Sequence, residues 1–111
     1  MQITIADDSG PTGKATLVGR LDIAGAEVIA LPLATLTGGK TSVILDMSGV
    51  TFVASIGLRH LVLATRALSR RGGKLVLVNP TAMVRDVLVT SGLTDLMSIV
   101  ATESEAYALL G

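Results

Sequence analysis

The sequence predicts one α/β domain with a mostly parallel sheet, its elements in the order ββαβαβαβα. Three observations carry this. Helical patterns alternate with short apolar, β-rich runs along the whole chain. Two of the helix-to-strand joints are alike: Thr37, Gly38, Gly39, Lys40 and Arg71, Gly72, Gly73, Lys74 each end a helical pattern and lead into an apolar run. A strand joined to the next through a helix runs parallel to it, with a right-handed crossover. Finally, 111 residues suit a single domain, residues 1–111, on a prior of about 100–200 residues each.

Residues 2–6 alternate apolar and polar at period two and read as a first strand. Asp7, Asp8, Ser9, Gly10 and Pro11 are a turn by composition. Lys14 to Leu21 is a second strand, paired with the first as a hairpin, in which Gly19 marks a bulge or a close approach. Asp22 is placed to cap the helix that follows. That helix runs from Ile23 to Leu36, with Ile29, Leu33 and Leu36 at helical spacing. Pro32 either kinks it or divides it, because proline removes one backbone bond and crowds the preceding turn. Glycine after each helix is expected to supply the left-handed residue that stops it.

The central stretch is Ser42 to Leu68. It reads as a strand Val43, Ile44, Leu45 closed by Asp46, then a turn at Met47, Ser48 and Gly49. An apolar patch at Val50 to Val53 and a helix from Ser55 to Ser69 follow. In that helix Leu58, Leu61, Val62 and Leu68 form an apolar stripe, while Arg59, Arg66 and Arg70 share a second line with Ser55 at its head. The ordinary reading of such arginines is a solvated face. Lys74 to Val78 is a short strand. A helix follows from Asn79, Pro80 and Thr81, with Pro80 near its first turn and Gly92 as its stop. A weak strand around Met97 to Val100 and a last helix, with Thr102 and Glu105 at capping-box spacing, complete the chain.

Composition excludes several functions. Half of the residues are hydrophobic, nearly all of them aliphatic, with Phe52 and Tyr107 the sole aromatics; mean hydropathy is +0.67. Nine basic and nine acidic residues cancel, so the basic stripe of a nucleic-acid binder is missing, as are stacking platforms for single strands. No apolar run approaches the roughly 18 residues that a membrane span needs, and no signal peptide is visible. With no cysteine there is no thiol chemistry or disulfide framework, and a cytoplasmic protein is expected. So apolar a surface is expected to hold partner-binding patches, with weak homodimerisation as the plainer alternative.

Catalysis finds little support. His60 is the one histidine and lies about 140° around the helix from Ser55, so the two do not pair. One histidine and scattered carboxylates make no metal site. Gly38, Gly39, Lys40 and Thr41 share the end of a Walker motif, but the leading glycine is absent and a strand follows where a helix is required. No enzyme, cofactor or metal is expected. What remains is the carboxyl edge of the parallel sheet, where open α/β sheets place their sites: Asp22, Asp46, Ser48 and Asn79, with Ser55 beside them. Ser55 is either a helix cap or, at the positive end of the helix dipole, a favourable place for a phosphate.

Val18 to Asp22, Val43 to Leu61, Gly72 to Leu75, Asn79 and Pro80, Ser91 to Leu93, and Glu105 with Ala106 together resemble the STAS domain (sulfate transporter and anti-sigma factor antagonist), most closely its small free-standing bacterial anti-sigma factor antagonists. The resemblance implies a single STAS-like fold with helices packed mainly on one face. It implies a partner, an anti-sigma factor that is itself a serine kinase and is held until the serine aligned with Ser55 is phosphorylated. It places the partner surface on Asp22, Asp46, Ser48, Ala54, Ser55, Ile56, Gly57 and Arg59. Two positions depart from the family pattern: Ala54 stands where the family has Asp, and Ile56 where it has Ser or Thr. The alternative in the same family is an accessory subunit of a membrane lipid transporter, or a scaffold piece of a stress-signalling assembly, without phosphorylation.

Overall fold

A computed structural model describes residues 1–6 and 10–110. Asp7, Asp8 and Ser9 of the expected first turn lie outside the described residues. The strands are β1 (Gln2–Ile5), β2 (Thr12–Leu21), β3 (Ser42–Val53), β4 (Leu75–Val78) and β5 (Ser98–Val100); the helices are α1 (Ile23–Gly39), α2 (Ser55–Ser69), α3 (Ala82–Thr90) and α4 (Glu103–Leu110). A 3-10 turn over Leu93–Asp95 precedes β5. The five strands lie side by side in chain order. β1 is antiparallel to β2, and every later pair is parallel, as the helical crossovers require.

Three helices share one face. Ile29, Leu33 and Leu36 of α1, Leu61 and Leu68 of α2, and Val84 and Leu88 of α3 bury against Leu17, Val43, Leu45, Leu75 and Leu77. Each such side chain taken fully out of water contributes roughly 1.5–3 kcal/mol. Among the described residues α4 alone covers the other face, where Ile44, Val76 and Val78 meet Ala106. Lys14 of β2 clips α4 in place through Glu103 at 2.6 Å. Of the apolar residues in α4, Ala106 is buried while Leu109 remains 45% exposed.

The structure corrects the reading of the central stretch. Met47, Ser48 and Gly49 are not a turn, for β3 is one strand of 12 residues. Its pairing with β2 shifts register between Thr16 and Val18 and again between Gly19 and Arg20. Extra residues absorbed in this way bend and twist a strand. They also let Met47, Val50 and Val53, three apart, all join the core, which strict alternation forbids. Gly19, at φ +118, sits at the second shift, and the backbone of Met1 passes within 3.0 Å of where a Cβ would stand, so bulge and close approach coincide.

The helix ends differ in detail. α1 runs unbroken through Pro32 and includes Gly38 and Gly39. The left-handed glycine expected there is absent: the helix passes directly into extended backbone at Lys40 (φ −124, ψ 158). Left-handed glycines do follow α2 and α3, at Gly72 (φ +78) and Gly92 (φ +74). Pro80 precedes the cap of α3 and lies outside its first turn. The cap is Thr81, which accepts from the Val84 N–H at 3.4 Å. At α4, Thr102 accepts from the Glu105 N–H at 3.2 Å, and Glu105 reaches back to the Ala101 N–H at 3.4 Å, one residue earlier than a capping box would place it.

Candidate functional site

The site is built where β2 and β3 end together. Leu21 is paired with Val53, and each strand hands directly to a helix. Asp22 caps α1, its carboxylate accepting from the Gly25 N–H at 2.8 Å. That bond, helped by Arg20, holds the Asp22 carboxyl below its usual range. Arg20 lies 3.6 Å from Asp22 and stacks on the Phe52 ring at 4.4 Å, across paired positions of β2 and β3. The neighbouring helix is joined to the same edge by the Ala54 N–H, which donates to the Leu21 carbonyl at 2.9 Å.

Ala54 occupies the cap position of α2, in extended backbone (φ −91, ψ 167), and offers no side-chain bond to the helix. Ser55 is therefore the first helical residue and not its cap. It is exposed, and no side chain at the cap position bonds the first-turn N–H groups beside it. Free N–H groups and the helix dipole favour an anion at such a place. Ile56 is half-buried and Arg59 exposed beside it. Gly57 is buried, and its role is approach: a Cβ there would stand 2.5 Å from the Leu21 side chain and 2.9 Å from the Leu21 carbonyl. It cannot itself touch a partner in this conformation.

The expected site residues thus divide. Asp22, Ala54, Ser55, Ile56 and Arg59 gather at this edge. Asp46 and Ser48 do not join them. Asp46 lies between Leu45 and Met47, both in the core beneath α1 to α3, so its side chain points to the opposite face. There it accepts from the Ser48 hydroxyl at 2.7 Å and the Ser48 N–H at 3.0 Å. Both residues sit within β3, although Asp46 pairs with Val78, where β4 ends. Asn79 follows β4 with φ 50 and donates its N–H to the Val100 carbonyl at 2.8 Å. Sequence reasoning missed the Arg20–Phe52 stack, for which the pairing register was the signal needed. His60, set aside as a catalyst, lines a groove between α1 and α2.

Comparison with known proteins decides the family: the STAS domain matches residues 8–106. The chain belongs to the STAS domain family. A STAS relative, BtrV of Bordetella bronchiseptica, provisionally named an anti-sigma factor antagonist, is 30% identical over 95 residues, which are 85% of this chain and 82% of that protein. The structure of the anti-sigma factor antagonist SpoIIAA in its unphosphorylated form matches with a TM-score of 0.83 at 29% identity, covering 98% of this chain and 96% of that one. SpoIIAA from Bacillus in its phosphorylated form matches with a TM-score of 0.76 at 28% identity, covering 99% and 100%. Among the described residues no helix is long and apolar enough to cross a membrane, and no three metal-ligating side chains come together.

Proposed function

We propose that this STAS chain is an anti-sigma factor antagonist, a non-catalytic regulator that binds an anti-sigma factor at the β2–β3 edge and so frees a sigma factor in the cytoplasm. Phosphorylation of Ser55 by that partner, a serine kinase, ends the complex. The observation that carries the reading is Ser55 itself: exposed at the first position of α2, next to an empty cap. Its support from relatives is the similarity to SpoIIAA, a protein with phosphorylated and unphosphorylated forms. A phosphate adds about −1.5 to −2 charge, and half-buried Ile56 beside it makes this an apolar surface that such a charge disrupts.

Incubating the protein with its anti-sigma factor and ATP, then reading intact masses, tests this. One phosphate on the wild type and none on Ser55→Ala is expected, with the phosphorylated protein released from the partner. Failure of the unmodified protein to bind the anti-sigma factor would overturn the reading. The departures Ala54 and Ile56 favour a second reading, an unphosphorylated accessory subunit of a membrane lipid transporter. Stable co-purification with a transporter ATPase, unaffected by Ser55→Asp, would identify that role.

A further inference from the structure

α1 has no polar face. Besides the residues it buries, it presents Ile23 at 71% exposure, Val28 at 46% and Leu31 at 75%, and Glu27 is its one charged residue. Surface helices of soluble domains ordinarily turn a charged face to water. Beside this crest runs a groove of about 350 Å3 between α1 and α2. Its buried floor is Leu33 and Thr37 from α1 and Ala64 from α2, with the small side chains of Ala30, Ala34 and Ala67 above them and His60 and Leu63 on the α2 side. Small residues along a groove let another backbone come close.

The far wall is charged, and with one sign. At about 100° per residue, Arg59, Arg66 and Arg70 fall in one line immediately outside Leu63. All three are exposed, and α2 contains no acidic residue. On α1, exposed Glu27 stands one turn before Ala30 and close to the line of Ala34, on the same side of that helix beyond the end of the groove. The surface is thus an apolar channel with positive charge along one side.

We propose that this channel seats an amphipathic helix of the protein partner, its apolar stripe over Ala34 and Ala67 and its acidic flank along Arg59, Arg66 and Arg70. The inference rests on the reading above that the chain binds a protein, and it adds a second, helical contact beside the Ser55 edge. Charge decides the orientation, because an acidic flank laid on the α1 side would meet Glu27. Concavity favours a helix over a flat lipid surface.

Two labelled helical peptides test it, sharing one leucine and alanine stripe, the first flanked by Glu on one side and the second by Lys. Fluorescence anisotropy with the full chain is expected to show the Glu peptide bound about tenfold or more tightly than the Lys peptide, as three exposed ion pairs imply. Arg66→Glu with Arg70→Glu reverses the preference, and Ala34→Leu, which fills the channel from an exposed position, weakens both peptides. Circular dichroism checks that each variant is folded. Equal binding of the two peptides, or indifference to Ala34→Leu, overturns the proposal. So does binding to phosphatidylserine vesicles in place of peptide, or a wild-type dimer in sedimentation that Leu31→Glu dissolves.

The anti-sigma factor separates this inference from the one before. If it binds wild type and the Arg66→Glu, Arg70→Glu variant equally but loses Ser55→Asp, the channel proposal fails and the antagonist reading stands. If it binds none of them while the Glu peptide retains its preference, the antagonist reading fails and the channel's chemistry stands.

Discussion

Ala54→Asp should stabilise this protein, and the structure supplies its own control. α1 and α2 begin from nearly the same backbone. Asp22 sits at φ −95, ψ −164 and Ala54 at φ −91, ψ 167. The Asp22 carboxylate accepts from the N–H three residues on, at 2.8 Å. An aspartate at 54 would reach the Gly57 N–H in the same way. Replacing an alanine cap by aspartate contributes about 1 kcal/mol, within a range of about 0.5–2, and the helix dipole is already part of that figure. For a domain of this size it raises Tm by roughly 4 °C. Thermal and urea unfolding of wild type, Ala54→Asp and Ala54→Asn measure it. Asparagine separates the hydrogen bond from the charge, and should retain most of the gain. No gain in either variant would refute the inference that α2 is short of a cap. The same substitution places a negative charge beside Ser55, so phosphorylating that variant should stabilise it less than phosphorylating wild type.

The glycines give a second set of outcomes. Gly57→Ala sets a methyl against a backbone carbonyl that a rotamer change cannot move, and costs about 1–3 kcal/mol, read from urea midpoints. Gly73→Ala is more severe than Gly57→Ala, since its Cβ would lie 1.6 Å from the Thr41 carbonyl oxygen; a soluble, equally stable variant would contradict the packing described. Gly38→Ala has nothing within 4 Å and lies inside α1, so it gains about 0.5–1 kcal/mol from helix propensity. The pH dependence has two limbs. Asp22 titrates below its ordinary value, so its contribution is complete above about pH 4 and is lost as pH falls through the lowered value; Asp22→Asn flattens this acid limb of Tm against pH. Lys14 is raised by its hydrogen bond to Glu103, so its contribution is complete below about pH 10.5 and is lost as pH rises further; Glu103→Gln removes that alkaline limb.

The order of elements was legible because crossovers and apolar periodicity are local and mutually consistent. α2 could be bounded to the residue, and Asp22 was recognisable as a cap, because a carboxylate before an apolar helix has few other uses. β3 was not legible as one strand. Ser48 and Gly49 are turn residues by habit, and a bulge spends them inside a strand, which single-strand periodicity cannot reveal. The same error misplaced Asp46 and Ser48, whose side chains a one-residue difference sends to the other face. Ser55 was left as either a cap or a phosphate position because serine commonly caps helices; backbone angles were needed to put Ala54 at the cap. The channel beside α2 was hidden for a different reason. The spacing of Ile29, Leu33 and Leu36 did mark the side of α1 that is buried, but a helix apolar on its outer side as well gives no sign in sequence that a groove runs along it.

Ser55 stands on a foundation that does not yield. Its helix starts on a hydrogen bond from Ala54 to the Leu21 carbonyl, and one residue past Ile56 the helix presses through Gly57 onto Leu21, a side chain with no exposed surface. A phosphate there has no loose segment to order or melt beneath it. If Ser55 is phosphorylated, the added charge would act through surface potential beyond the contact it breaks at Ile56, and that potential would reach no farther than screening permits, about 8 Å at physiological ionic strength. Reading and erasing it need no refolding, and rising salt should blur it before it disturbs the fold.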